Sequence, residues 1–174
     1  MDLFMAEENT QAAEMVNGLI KRSQHAQAIL STFTQEQVDK ICEAIAKAGK
    51  EHAQELAQAA VQETRRGVVA DKVTKNIFAS ECIWESLKDV KTVGVVSEDE
   101  DKGLVSIAEP MGVIAGVTPV TNPTSTVIFK SMIALKTRNT IVFGFHPQAQ
   151  KSCVMAGKLV EAAAEAAGCL LYTS

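Results

Sequence analysis

The sequence has no apolar run of the length a bilayer span needs. Its first residues, MDLFMAEENTQ, are acidic early and carry no apolar core of the kind a signal peptide has. Its four cysteines, Cys42, Cys82, Cys153 and Cys169, form no CxxC pair and show no metal-ligand spacing. No metal site is indicated, and reduced thiols in a cytoplasm are the expectation. The glycine fingerprint of a dinucleotide-binding turn is missing too: where a strand runs into a helix the chain reads VTPVTNPTST, with Asn122 and Pro123 in the turn. Acid is scarce in one part only. Residues 111–174 hold 2 of the 21 Asp and Glu residues and 5 of the 17 Lys and Arg residues, a balance of +3 within a net charge of −4. The overall charge argues against nucleic acid as a partner, whereas the basic C-terminal part suits a phosphate-bearing ligand.

What is present is a globular composition, 47% hydrophobic and 22% charged over 174 residues, enough for one domain or part of a larger one. Residues 1–90 read as helices. A stripe of Ala12, Met15, Leu19 and Ile20 marks the first, from about Asn9 to Leu30. FTQEQVDKICEAI restarts a helix, with Thr34 as N-cap, Gln37 completing a capping box and Phe33 placed as a staple to Val38. Val38, Ile41, Cys42, Ile45 and Ala48 follow at helical spacing. After a break at Gly67, a helix from about Ala70 to Lys88 puts Val73, Ile77, Trp84 and Leu87 on one face. His25 and His52 fall in these helices without a nameable partner.

The period then changes. Thr92–Val96 and Leu104–Ala108 flank an acidic turn and predict a β-hairpin over residues 91–110. Residues 111–168 alternate strand, helix, strand, helix, which predicts an α/β fold with a parallel sheet. The helix Pro123–Lys136 is apolar almost all round and demands burial on several sides. Two strands do not supply that cover, so the chain reads as the front part of a larger domain. The last helix carries Ala149, Cys153, Ala156, Val160, Ala163 and Ala167 on one stripe and stops at Gly168.

Two readings of Asn122 stand side by side. Asparagine before a proline at the first helical position is a strong N-cap. Its amide also has a donor NH2 that, with the oxygen on the helix amides, points into the crevice at the carboxyl end of a strand, where ligands bind in open α/β sheets. A fixed donor there stabilises a developing oxyanion.

The stretch EPMGVIAGVTPVTNPTSTVIFKSMIALKTRNTIVFGFHPQA resembles the nucleotide-binding region of aldehyde dehydrogenases, most of all the CoA-acylating branch found in bifunctional aldehyde-alcohol dehydrogenases. FTQEQVDKI, GVVADKVTKNIFASE and VGVVSEDEDKGLVSIAEPMGVI fit the same family, so the resemblance covers about Phe33 to Gly168. It implies an aldehyde dehydrogenase-like fold: N-terminal helices and a hairpin of the oligomerisation type, then an incomplete Rossmann-like parallel βαβα sheet. It places the oxyanion-hole donor on Asn122, and the cofactor and substrate groove on Thr118, Pro119, Val120 and Thr121. Non-acylating members carry a lysine after the second strand; here Gly144 stands there, followed by His146 and Pro147, a pair typical of the acylating branch. For His146 the residues alone favour a strand-end histidine satisfied by backbone.

The reaction implied is that of a small aldehyde with NAD and CoA, giving acyl-CoA and NADH or the reverse, in a protein that is a homo-oligomer at full length. The family's nucleophilic cysteine lies downstream of anything present; Cys42, Cys82 and Cys153 read as core thiols. The tail CLLYTS, residues 169–174, departs from the family and marks the expected truncation. A single-function acetaldehyde or succinate-semialdehyde dehydrogenase is the enzymatic alternative. A non-catalytic assembly module, pairing through its sheet edges, is the alternative of another class.

Overall fold

Thr34 begins the first helix whose start the sequence specifies. In the computed structural model, which describes residues 2–169 and the side chains of residues 10–169, Thr34 Oγ1 accepts from the Gln37 amide at 3.3 Å and Gln37 Oε1 accepts from the Thr34 amide at 2.8 Å. The capping box is closed and opens α2, Gln35–Glu51. Val38, Ile41, Cys42 and Ile45 are buried along it, joined by Ala46 and Gly49, while Ala48 is half-buried. Before it runs α1, Asp2–Leu30, which starts earlier than expected. The expected stripe also shifts: Ala12 and Met15 are exposed, and the buried residues are Ala26 and Leu30. The helix meets the rest of the chain through its C-terminal half, where Thr140 Oγ1 donates to Ser23 O at 3.1 Å.

The chain bends at His52 (φ −97°, ψ 11°), which separates α2 from α3, Ala53–Thr64. His52 has a partner after all: its Nδ1 lies 2.9 Å from Glu55 Oε2. The helix predicted over Ala70–Lys88 is α4, Val69–Ile77, continued through a π-helical turn, Phe78–Cys82, into α5, Ile83–Leu87. A π turn adds a residue and rotates the face that follows. Val73, Ile77, Trp84 and Leu87 are only half-buried, and Lys72 and Asn76, ahead of the π turn, and Ala79 and Ser80, within it, point inward instead.

Strand β1, Gly94–Asp99, pairs antiparallel with β2, Leu104–Ala108, with a bulge between Val95 and Ser97. Thr92 and Val93, expected in β1, are drawn off because both their amides donate to Gln35 Oε1, at 2.7 and 3.0 Å. This hairpin is separate from the second sheet, in which β3, Val113–Val117, lies parallel to β4, Thr140–Gly144. The connection between them is α6, Pro123–Lys136, with the predicted bounds. At Gly116 the strands and side chains approach closely: a Cβ there would lie 2.7 Å from Ile141 Cδ1 and 2.9 Å from Phe143 Cδ1. A 3-10 turn, Pro147–Ala149, leads into α7, Gln150–Ala166, and Gly168 (φ +100°) ends it. Along α7 and the residues that flank it, Ala149, Cys153, Ala156 and Val160 are buried as expected, followed by Ala164; Ala163 and Ala167 are half-buried.

The expectation that α6 lacks cover is corrected. It is packed by α2, α4 and α7 as well as by β4, and Val127, Ile128 and Met132 are fully buried against Ile41, Ile45, Leu56 and Cys153. Of α6 itself Ile133 stays open, 43% exposed, and in the strands Leu104, Val105 and Ile107 of β2, and Val117 of β3, are all more than half exposed. Arg138, in the left-handed region (φ 58°), pins the turn after α6 by donating to Ser31 O at 2.7 Å and Ala108 O at 2.8 Å. Of the tail, Leu170–Ser174 lie outside the described residues, so the expectation for CLLYTS is left there.

Candidate functional site

The carboxyl ends of β3 and β4 and the N-terminus of α6 meet in one region. Thr118 continues β3, its amide donating to Gly144 O at 3.1 Å. The residue is 2% exposed, and its hydroxyl turns inward, accepting from the His146 amide at 3.3 Å and touching Cys153 Sγ at 3.5 Å. Only its backbone is left to line a groove. Pro119 and Thr121 are exposed and Val120 is half-buried against the core. His146 Nδ1 accepts from the Gln148 amide at 3.1 Å, so the ring's Nε2 is its donor in the neutral form. Pro147 then starts the 3-10 turn.

Asn122 occupies the N-cap position of α6, but its side chain makes no capping bond. The capping reading of its oxygen is therefore overturned. Oδ1 instead accepts from Lys75 Nζ at 2.9 Å, and it is the backbone oxygen of Asn122 that receives the Thr126 amide, at 3.2 Å. An ammonium only donates, so the oxygen faces Lys75 and the NH2 is the other end of the amide.

Asn122 and Lys75 border a cleft of about 490 Å3, lined also by Phe78, Ala79, Ile83, Ser125, Thr126 and Phe129. The π turn brings Phe78 there, 59% exposed. π turns of this kind occur often at functional sites. Lys72, one turn before Lys75, is 6% exposed and donates to Thr121 O at 2.8 Å. Burial, and then the charge of Lys75, hold its pKa below the usual lysine value. Asn76, on the same helix, accepts from Thr124 Oγ1 at 2.8 Å and donates to Ala53 O at 3.0 Å. The turn and the first residues of α6 are thus held from α4 at Thr121, Asn122 and Thr124.

A second cleft, of about 590 Å3, lies on the other side of the strand ends between Glu63, Arg65, Arg66, Pro147, Gln148 and Lys151. An apolar cavity of about 210 Å3 between α1, α6, β4 and α7 is lined by none of the residues that the resemblance assigns to the site, although Val160 and Cys169 border it. Among the described residues no cluster of His, Cys, Asp or Glu has the arrangement of a metal site, and no helix is long and apolar enough to cross a membrane.

The cysteines divide differently from expectation. Cys42 and Cys153 are buried core thiols, as is Cys169, but Cys82, the last residue of the π turn, is exposed. Burial pushes Cys42 and Cys169 up to about 12 and raises Cys153. None of these four lines the Asn122 cleft. Sequence reasoning missed Lys72, Lys75, Phe78 and Phe129. The first two had a signal in their i, i+3 spacing within DKVTKN; the aromatics read as ordinary core residues.

The chain matches the family model described as aldehyde dehydrogenase family over residues 4–172. It is 52% identical over 159 residues to the bifunctional aldehyde-alcohol dehydrogenase of Escherichia coli K12, covering 91% of this chain and 18% of that one. An acetylating aldehyde dehydrogenase from Geobacillus thermoglucosidasius superposes with a TM-score of 0.89 at 47% identity, over 92% of this chain and 35% of its own. A Rhodopseudomonas palustris propionaldehyde dehydrogenase, solved with bound CoA and an acylated cysteine, follows at a TM-score of 0.74 and 26% identity, over 87% of this chain and 33% of its own. The chain thus spans about a fifth of the curated relative and about a third of the solved ones. The match extends along nearly the whole of it, helices, hairpin and parallel strands alike, and the chain belongs to the aldehyde dehydrogenase family.

Proposed function

We propose that this chain supplies the oxyanion-binding side of the active centre in a CoA-acylating aldehyde dehydrogenase, which converts acetaldehyde, CoA and NAD to acetyl-CoA and NADH reversibly, as in ethanol fermentation in a cytoplasm. The observation that carries this is the amide of Asn122. It stands at the mouth of α6 without capping it and borders a cleft with Phe78, Ile83 and Phe129. An apolar cleft with one convergent amide donor suits a small aldehyde, with the alkyl group against the aromatics and the carbonyl oxygen toward Asn122.

The nucleophile in this reading is a cysteine contributed by sequence other than these 174 residues, since the chain's own thiols are buried or turned away from the cleft. Thiolate attack creates the oxyanion that the Asn122 NH2 receives, and CoA thiol later releases the thioester. NAD, when bound, supplies the hydride acceptor. The strand ends fit such a group in part: Gly144 is exposed, and nothing lies within 4 Å of where its Cβ would be. Backbone from Thr118 to Thr121, with His146 and Pro147, would line the groove. The Lys151 and Ser152 amides at the start of α7 are already bound to Glu63 and would not be free to hold a cofactor. As domains, residues 1–90 act as a helical region, 91–110 as a hairpin that joins subunits, and 111–168 as the first part of a nucleotide-binding domain.

The test is a chimera in which residues 10–169 replace the matching stretch of the Escherichia coli enzyme. CoA-dependent NADH formation is expected, and Asn122→Asp is expected to leave the melting temperature close to that of the parent while lowering kcat by roughly 10²–10³-fold. An Asp variant that is stable and turns over normally would overturn the oxyanion role. The 174-residue chain by itself is expected to form no NADH.

A further inference from the structure

Lys72 and Lys75 lie one turn apart on α4, and both reach across to the two residues that precede α6. Lys72 Nζ holds the carbonyl of Thr121 and Lys75 Nζ holds the side-chain oxygen of Asn122. Neither ammonium is paired with a carboxylate among the described residues. Two like charges one turn apart repel. They also stand beside the positive end of the α6 dipole, and for one of them burial adds a desolvation cost. A purely structural brace would be better made from neutral donors. What would offset two unpaired cations at this place is negative charge that appears only during the reaction, when an aldehyde oxygen becomes an oxyanion next to Asn122. Interactions that strengthen in the transition state are the ones that raise turnover.

The contact to Lys75 has two chemical consequences. It turns the Asn122 oxygen toward α4, which directs the NH2 the other way. It also draws electron density toward Oδ1, which makes the N–H a stronger donor, since linked hydrogen bonds polarise one another. We infer that Lys75 is a positioning residue for the oxyanion donor Asn122, with Lys72 fixing the backbone of the same turn. This rests on the oxyanion role proposed above and adds the device that orients and polarises the amide.

The experiment uses the same chimera with Lys75→Met, Lys75→Arg, Asn122→Ala and the Lys75→Met/Asn122→Ala pair. Lys75→Met keeps the length of the side chain and removes the charge and the donor. It is expected to lower kcat by about tenfold, a factor that corresponds to about 1.4 kcal/mol of barrier, with little change in the KM values for NAD and CoA. Lys75→Arg is expected to restore most of the rate. The double variant is expected to be no slower than Asn122→Ala alone, because Lys75 acts only through that amide.

If Asn122→Ala slows turnover while Lys75→Met does not, or if the two losses multiply, the positioning role is overturned and the oxyanion reading stands. If Asn122→Ala leaves turnover unchanged, both fall. A readout free of activity uses the 174-residue chain: the side-chain NH2 resonances of Asn122, assigned by their loss in Asn122→Ala. They are expected to move in Lys75→Met and to stay in Lys75→Arg. Resonances indifferent to Lys75→Met would sink the inference even if the chimera failed to fold.

Discussion

The carboxylate of Glu63, at the end of α3, caps α7 at Ser152 from 89 residues away in sequence: Oε2 accepts the Ser152 amide at 2.7 Å, and Oε1 accepts the neighbouring Lys151 amide at 2.8 Å. An anion at a helix N-terminus satisfies orphan amides and complements the dipole. It also locks the helical N-terminal region onto the second βα unit.

The titration of Glu63 makes this lock pH-dependent. Partial burial pushes its carboxyl up, but the Ser152 side chain, the Ser152 and Lys151 amides and the Lys151 charge together hold it below the usual value. A depressed folded pKa means stability that is present above the unfolded carboxylate pKa and lost as pH falls through the folded one. Glu63→Gln is therefore expected to lower the melting temperature at pH 7 and to have little effect near pH 3. Melts of both proteins across pH 3–7 check this; a constant difference would show that the charge is irrelevant to the cap.

A similar asymmetry governs the thiols. The thiolate is the reactive form, and burial raises Cys42 and Cys169 to about 12. Cys82 is exposed. Treatment of the native chain with a disulfide reagent at pH 8 is expected to titrate one thiol quickly, and Cys82→Ser to abolish that phase. A fast phase that survives Cys82→Ser would place an accessible thiol elsewhere.

Cys82 also shows what the sequence conceals. Within Ala70–Lys88 the inward face is set already in α4 by Lys72 and Asn76, whose partners Thr121, Thr124 and Ala53 lie far off in the sequence, and nothing in IFASECIW announces the extra residue of a π turn. Local signals were more legible. The Thr34–Gln37 box, the bounds of α6 and the strands β3 and β4 all follow from caps, proline and period. The bend at His52 has no glycine or proline to mark it. At the site, the turn around Asn122 was visible in TNP, but the direction of its amide depends on Lys75, 47 residues earlier. The capping inference failed because a nonlocal ammonium competes for the oxygen.

The uncovered strands predict association. Leu104, Val105 and Ile107 of β2 are each more than half exposed, as is Val117 at the end of β3. Exposed apolar strands of this kind invite other chains. The isolated chain is expected to run above its monomer mass of 18.6 kDa in size-exclusion chromatography with light scattering. Leu104→Lys/Ile107→Lys is expected to shift it toward monomer. A wild-type chain that is monomeric at high concentration would contradict this and remove the support for a subunit-joining hairpin.

The ion pair between Lys136 and Asp39 separates the cost of a buried charge from the value of a buried pair. Lys136 is 1% exposed; its ammonium bonds to Asp39 Oδ1, approaches the Lys88 carbonyl at 3.5 Å and stands 5.6 Å from the Trp84 ring centroid. The side chain of Asp39 is more open, 28% exposed. Asp39→Asn leaves the lysine charge inside without its counter-ion, a change that typically costs about 3–5 kcal/mol. Lys136→Met removes the buried charge instead, keeps most of the packing against Trp84 and leaves Asp39 partly in water. Replacing the charged member by an apolar side chain of similar length is expected to cost clearly less. Chemical denaturation of both variants, with m-values compared to confirm that the unfolded states match, gives the order. If Lys136→Met is the more destabilising, the pair stabilises the fold beyond its desolvation, and the aromatic and carbonyl contacts of the ammonium carry weight of their own.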